Sequence, residues 1–170
     1  QLRIASQKIA QSKDYLTSAI GDLRALSKTL NTNNILHEGL ANTIRFELKR
    51  IEKASVIQTS FTEQTEQSKL DSNQEIIIFR IFQELIQNII KHAQAKNINV
   101  LLEEQEDFFK IEVQDDGIGF DFEEKLKNKG FDSGSGLANM VYRASLLNGS
   151  FKVLKSDGGG SLSTLFIPLL

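Results

Sequence analysis

The sequence predicts an α+β fold: a helical arm, then a mixed, mostly antiparallel sheet with helices on one face. Three observations carry this. Of the 11 glycines only Gly21 and Gly39 lie in the first 116 residues, and the single proline is Pro168, so uninterrupted helices come first and loops later. Apolar residues recur at spacings of three, four and seven through the first half. They alternate with polar ones around Ile98–Val113 and again after Gly149.

In order along the chain, residues 2–31 read as a helix through Ile9, Leu16, Ile20, Leu23 and Leu30. Asn31–Asn34 interrupts or bends it, and residues 35–53 resume through Ile35, Leu40, Ile44, Leu48 and Ile51. Such stripes pack against a partner helix, in the same chain or in a second one. The polar Thr62–Lys69 stretch reads as a connection. Asp71–Ala95 is a strong helix: Asp71 or Ser72 can cap it, with Gln74 or Glu75 closing a capping box. Its apolar positions include Ile77, Ile78, Ile81, Phe82, Leu85, Ile89 and Ile90. Ile98–Leu102 and Phe109–Val113 form a hairpin around the polar Glu103–Asp107. Residues 120–135 read as a mobile polar loop, Leu137–Leu147 as a helix stopped by Gly149, and Phe151–Lys155 and Ser161–Ile167 as two final strands. The division expected is a helical region, 1–54, and a second domain, 55–170.

Composition narrows the function. Hydrophobic residues at 40% and charged residues at 25% suit a soluble globular chain. A net charge of -2 speaks against nucleic acid as a partner. Without cysteine there is no disulfide framework and no thiolate metal site. No apolar run reaches the roughly 18 residues of a membrane span. The chain opens at Gln1, without an initiator methionine and inside a helical pattern, so it is expected to be a piece of something longer.

Three clusters bear chemistry. In the first, Glu84, Asn88 and Lys91 or His92 share one helical face. An amide oxygen there suits Mg²⁺, a lysine suits phosphate oxygens, and a carboxylate can hold or deprotonate a nucleophile. The plainer reading is a solvated helix face. In the second, Asp115-Asp116-Gly117-Ile118-Gly119-Phe120 follows a strand. Its glycines let backbone approach a ligand, and Asp115 can accept a hydrogen bond from an exocyclic amine. The plainer reading is a β-turn. In the third, Gly134-Ser135-Gly136-Leu137 opens a helix whose first N–H groups can meet phosphate, or is simply a linker and N-cap.

Taken in order, the three resemble the N, G1 and G2 boxes of the ATPase fold shared by gyrase, the large heat-shock chaperone, histidine kinases and mismatch-repair proteins. The resemblance covers about 100 residues, closing on Gly160-Ser161…Pro168. The string Phe79-Arg80…Gln83-Glu84…Asn88…Lys91-His92-Ala-Gln-Ala95 is similar to the N box of sensor histidine kinases of the NarL/DesK-like subfamily. Gly136-Leu-Ala-Asn-Met-Val-Tyr-Arg143 and Leu147-Asn-Gly149 resemble it too, as does the short segment between Phe120 and Gly134. The stretch Leu16–Leu48 resembles the second dimerisation helix of that subfamily.

The resemblance implies a Bergerat-type ATP-binding α/β sandwich that uses ATP and Mg²⁺. It implies that Asn88 coordinates Mg²⁺, that Lys91 and His92 contact the triphosphate, and that Glu84 assists transfer. Asp115 would read the adenine amine, with Ser161 helping through water where relatives often carry Thr. Gly117 and Gly119 would shape the nucleotide wall, while Gly134, Gly136 and Leu137 would flank the phosphates. It further implies a homodimer through the N-terminal helices, a response regulator as partner and a cytoplasmic location for this piece, with membrane anchoring of the full-length protein left open. Only His37 and His92 are present, and neither sits where the family's acceptor histidine does. The acceptor is therefore expected upstream of Gln1. The readings set against this one are a non-catalytic interaction module and a serine kinase or ATPase of the same superfamily.

Overall fold

The computed structural model describes residues 37–65, 68–119, 136–156 and 158–169. Within them lie helix α1 (37–54), strand β1 (Gln58–Gln64), helix α2 (Ser72–His92), strands β2 (Asn97–Glu104) and β3 (Phe108–Asp115), helix α3 (Gly136–Ser145), and strands β4 (Ser150–Lys155) and β5 (Ser161–Pro168). The expected helix over 2–31 and the loop at 120–135 lie outside the described residues.

Helix α2 begins where its sequence predicts. The Asp71 carboxylate accepts the N–H groups of Asn73 and Gln74 at 2.8 and 2.9 Å, and Asp71 N–H donates to Gln74 Oε1 at 2.9 Å. This reciprocal box satisfies the donors that a helix start leaves open. Glu75 takes another role, accepting Leu40 N–H from α1. The buried face of α2 includes Phe79 and Ile86 as well as the predicted Ile78, Ile81, Phe82, Leu85 and Ile89, whereas Ile90 is exposed. A helix packed on more than one side buries more than a single stripe.

The five strands form one sheet in the order β1-β2-β3-β5-β4. Only the β1–β2 pairing is parallel; β2–β3, β3–β5 and β4–β5 are antiparallel. Strand alternation turns Ile98, Val100, Leu102, Phe109, Ile111, Val113, Phe151, Val153, Leu165 and Ile167 into the core. The helices cover this face. The opposite face carries Asn99, Lys110, Glu112 and Thr164, with Phe108 stacked on Phe166.

Strand β1 corrects the sequence reading, which ran a connection from Thr62 to Lys69. Thr62–Gln64 belongs to the strand and pairs with Leu101–Glu103. Its sequence, QTSFTEQ, has no apolar alternation because it is an edge strand with little buried surface. Helix α1 holds it instead. Glu52 Oε1 accepts Thr59 N–H and Oγ1–H at 2.9 and 3.0 Å. Arg45 pairs with Glu63 at 2.8 Å and lies 5.0 Å from the centre of the Phe61 ring.

The stripe Leu40, Ile44, Leu48 and Ile51 finds its partner within the chain, in one buried cluster with α2 and the sheet. At the other end, α3 stops at Ser145, two residues before the expected Leu147. Leu147, Asn148 and Gly149 then turn back on the helix through hydrogen bonds to Ala144 and Ser145, with Asn148 at φ 53°.

Candidate active site

Helix α2 presents Glu84 and Asn88 half-buried on one face, with Lys91 and His92 exposed in its last turn. Leu85 and Ile89 go into the core and orient that face. One turn earlier stands Arg80, which donates to Gln83 Oε1 at 2.8 Å. Burial, then the charge of Arg143 on α3, lowers the proton affinity of Arg80, so α3 lies along the same face. The start of α3 comes close: a Cβ on Gly136 would overlap the Glu84 carboxylate. Glycine here lets the first turn of α3 stand against the polar face of α2.

Asp115 ends β3 between Ile98 on one side and Ser161 on the other. It is 4% exposed, and its Oδ1 accepts Gly117 N–H at 2.9 Å. Burial pushes its carboxyl above the usual carboxylate range, against the pull of the Gly117 and Ser161 N–H groups. Ser161 is 1% exposed, and its Oγ makes no hydrogen bond of good geometry; its influence on Asp115 is the weakest of those acting. A buried hydroxyl left open beside a buried carboxylate is what a ligand or water with its own donors and acceptors would satisfy.

Gly117 has no room for a side chain, since a Cβ there would overlap the Ala93 carbonyl. Ile118 N–H donates to that same carbonyl at 2.8 Å. Gly119, at φ 65°, faces the Gly160 carbonyl, and Gly160 in turn abuts the Asp115 carbonyl. The residues before the closing strand, the Asp-x-Gly-x-Gly turn and the end of α2 therefore approach backbone to backbone.

The fold thus brings the three sequence clusters together. Glu84 meets Gly136, and Ala93 at the C-cap of α2 meets Gly117. Leu137 packs half-buried on the core. Gly134 lies outside the described residues. Sequence reasoning passed over Asp116 and Ala93. Ala93 acts through its backbone carbonyl and has no polar side chain to draw notice, and Asp116 reads in the sequence as part of a turn. Among the described residues no cluster of three or more acidic, histidine or cysteine side chains could hold a metal. A divalent ion here would depend on Asn88 together with oxygens of a bound ligand, as Mg²⁺ commonly does.

The profile of the histidine kinase-, DNA gyrase B- and HSP90-like ATPases matches residues 73–170. The chain belongs to this family. Among curated proteins it is 28% identical over 165 residues to the signal transduction histidine-protein kinase/phosphatase DegS of Brevibacillus brevis, covering 97% of this chain and 42% of DegS. It is 29% identical over 154 residues to the oxygen sensor histidine kinase NreB of Staphylococcus carnosus, covering 91% and 43%. Both relatives are histidine kinases, in line with the subfamily that the motifs resemble, and the chain spans less than half the length of either. Among solved structures, the histidine kinase AdeS of Acinetobacter baumannii superposes with a TM-score of 0.62 at 16% identity, over 90% of this chain and 83% of that one. The histidine kinase domain of the Erythrobacter litoralis blue-light activated kinase EL346 gives 0.63 at 17%, over 76% and 61%. At these identities the structures speak for the fold.

Proposed function

We propose that this chain is the ATP-binding catalytic part of a two-component sensor histidine kinase. It would direct the γ-phosphoryl group of ATP to a histidine outside the described residues, from which a response regulator receives it. The observation that carries this reading is the junction of a buried Asp115 and an open Ser161 hydroxyl with the polar face of α2 through Gly117 and Ala93.

In this reading Asp115 accepts the adenine amine, and Ser161 reaches the ring through water. Gly117 and Gly119 form the wall against which the base lies. Lys91 and His92, exposed at the end of α2, take the phosphate oxygens. Gly136 and Leu137 bring the N–H groups of the α3 start to the same phosphates, which the resemblance has Gly134 flank as well. Asn88 offers an amide oxygen to Mg²⁺, which when bound would draw phosphate oxygens together and neutralise their charge. Glu84, half-buried nearby, receives the imidazole proton as the acceptor nitrogen bonds to phosphorus and ADP leaves. Such transfer asks mainly for positioning and charge stabilisation. The N-terminal region, 1–54, would carry the contacts of a homodimer.

Calorimetric titration with ADP and ATP, with and without Mg²⁺, tests the site. Wild type should bind both. Asp115→Asn should weaken binding about tenfold or more, because an amide cannot accept the amine and both N–H groups as the carboxylate does. Asn88→Ala should remove the Mg²⁺ dependence. A folded wild type that binds neither nucleotide would leave the interaction-module reading in front.

A further inference from the structure

Asp115 and Asp116 are successive residues at a strand end, so their side chains leave on opposite sides. Asp115 turns inward. Asp116 turns outward and is exposed, yet its carboxylate is fully engaged. Oδ1 accepts the N–H groups of Lys96 and Asn97 at 2.7 and 2.8 Å, and Oδ2 accepts Asn97 Nδ2–H at 2.7 Å. Asp116 N–H donates back to the Asn97 carbonyl at 3.3 Å. The chain reaches Lys96 from the C-cap of α2 at Ala93, by way of Gln94 in the left-handed region at φ 55°.

We propose that Asp116 is a positioning residue for nucleotide binding: its carboxylate clasps the exit of α2 and thereby sets Asp115 at a fixed offset from the phosphate-end residues of that helix. The proposal rests on the nucleotide-site reading above. Two ties flank Gly117. On one side Asp116 holds Lys96 and Asn97; on the other Ile118 N–H holds the Ala93 carbonyl. Gly117 sits flush against Ala93 between them. The sheet does not need this clasp, because β2 and β3 pair from Ile98↔Asp115 to Glu104↔Phe109 without it. What the clasp adds is the link from sheet to helix, and a nucleotide spanning both needs that distance held. Hydrogen bonds from Asn97 and Lys96 hold the Asp116 carboxyl below the usual carboxylate range, as expected of an acceptor of three donors.

The test is ADP affinity by calorimetry on the full chain, at a temperature where circular dichroism shows each variant folded. Asp116→Ala removes the clasp and should weaken ADP binding about tenfold, roughly the worth of one charge-assisted hydrogen bond, because the loss reaches the ligand only through the placement of Asp115. Asp116→Asn keeps an oxygen for both backbone N–H groups, and Asn97 can turn its amide to restore the third bond. That variant should stay within about threefold of wild type. A role in stability alone would lower the melting temperature of Asp116→Ala and leave the affinity of the folded protein unchanged; that result overturns the proposal. So does an Asn variant as weak as the Ala variant, which would make charge rather than the clasp responsible. Should Asp116→Ala not fold, Asn97→Ala removes one of the bonds and leaves the ladder. It should weaken ADP binding about two- to fivefold, and unchanged affinity overturns the proposal there too. Wild type failing to bind ADP would count against the nucleotide site itself, a separate failure.

Discussion

Two adjacent aspartates have their carboxyls shifted in opposite directions. Burial raises the Asp115 carboxyl, and three donors lower that of Asp116. For Asp115 the folded state holds its proton more tightly than the unfolded chain does. Its contribution to stability is therefore most favourable below the usual aspartate range and declines as pH rises through the raised folded value. Asp116 behaves the other way: its contribution is present above the unfolded value and is lost as pH falls through the depressed folded one. Melting temperatures of ligand-free wild type and Asp115→Asn, compared from pH 7 down to about pH 4, the ordinary aspartate range, isolate the first effect. Wild type should gain relative to the variant as pH falls, and a constant difference would place the Asp115 carboxylate in water. Asp115 stood out in the sequence, and alternation with Ile111 and Val113 already sets it on the core side of β3. What Asp116 holds did not show, because its partners Lys96 and Asn97 lie 20 and 19 residues away.

Helix α2 is the element whose sequence says most. Its cap, its apolar stripe and its polar face are all encoded within its own length, where spacing of three and four residues makes neighbours. Strand β1 is the reverse case. Seven mostly polar residues carry no alternation, and only pairing with β2 and the contacts from Glu52 and Arg45 make them a strand. Helix α1 lies between these cases: the stripe was legible, while the surface that covers it was open between this chain and another. Leu48 is 2% exposed in the cluster shared with α2 and the sheet. Leu48→Ala should therefore cost about 2–5 kcal/mol of unfolding free energy in urea titration, as for a core leucine. A change under about 0.5 kcal/mol, as at a surface position, would mean that this face waits for a partner.

Across the whole molecule, the buried cluster runs without a break from Leu40 to Ile167. A division at residue 54 is therefore testable by cutting. A chain of residues 37–170 should fold cooperatively and bind ADP like the full chain. A chain beginning at residue 55 loses Leu40, Ile44, Leu48 and Ile51 from the core and uncovers β1. It should show a broadened or absent thermal transition. If the shorter chain melts as sharply and as high, α1 belongs with the upstream arm. None of the described helices is long and apolar enough to cross a membrane.

By itself the sequence determined the family, the helix that carries Glu84 and Asn88, the β2–β3 hairpin and the glycines that admit close approach. Each of these is written in local spacing or in residue types that few other backbones require. Tertiary structure decided what depends on segments far apart in the chain. It set Ser161 beside Asp115, Gly136 against Glu84, and Gly117 against the end of α2. It also made β1 a strand and assigned Asp116 to the exit of α2. The physical reason is the same throughout: a hydrogen bond or a van der Waals overlap between residues distant in sequence leaves no periodic trace in either segment, and appears only once the sheet has chosen its order.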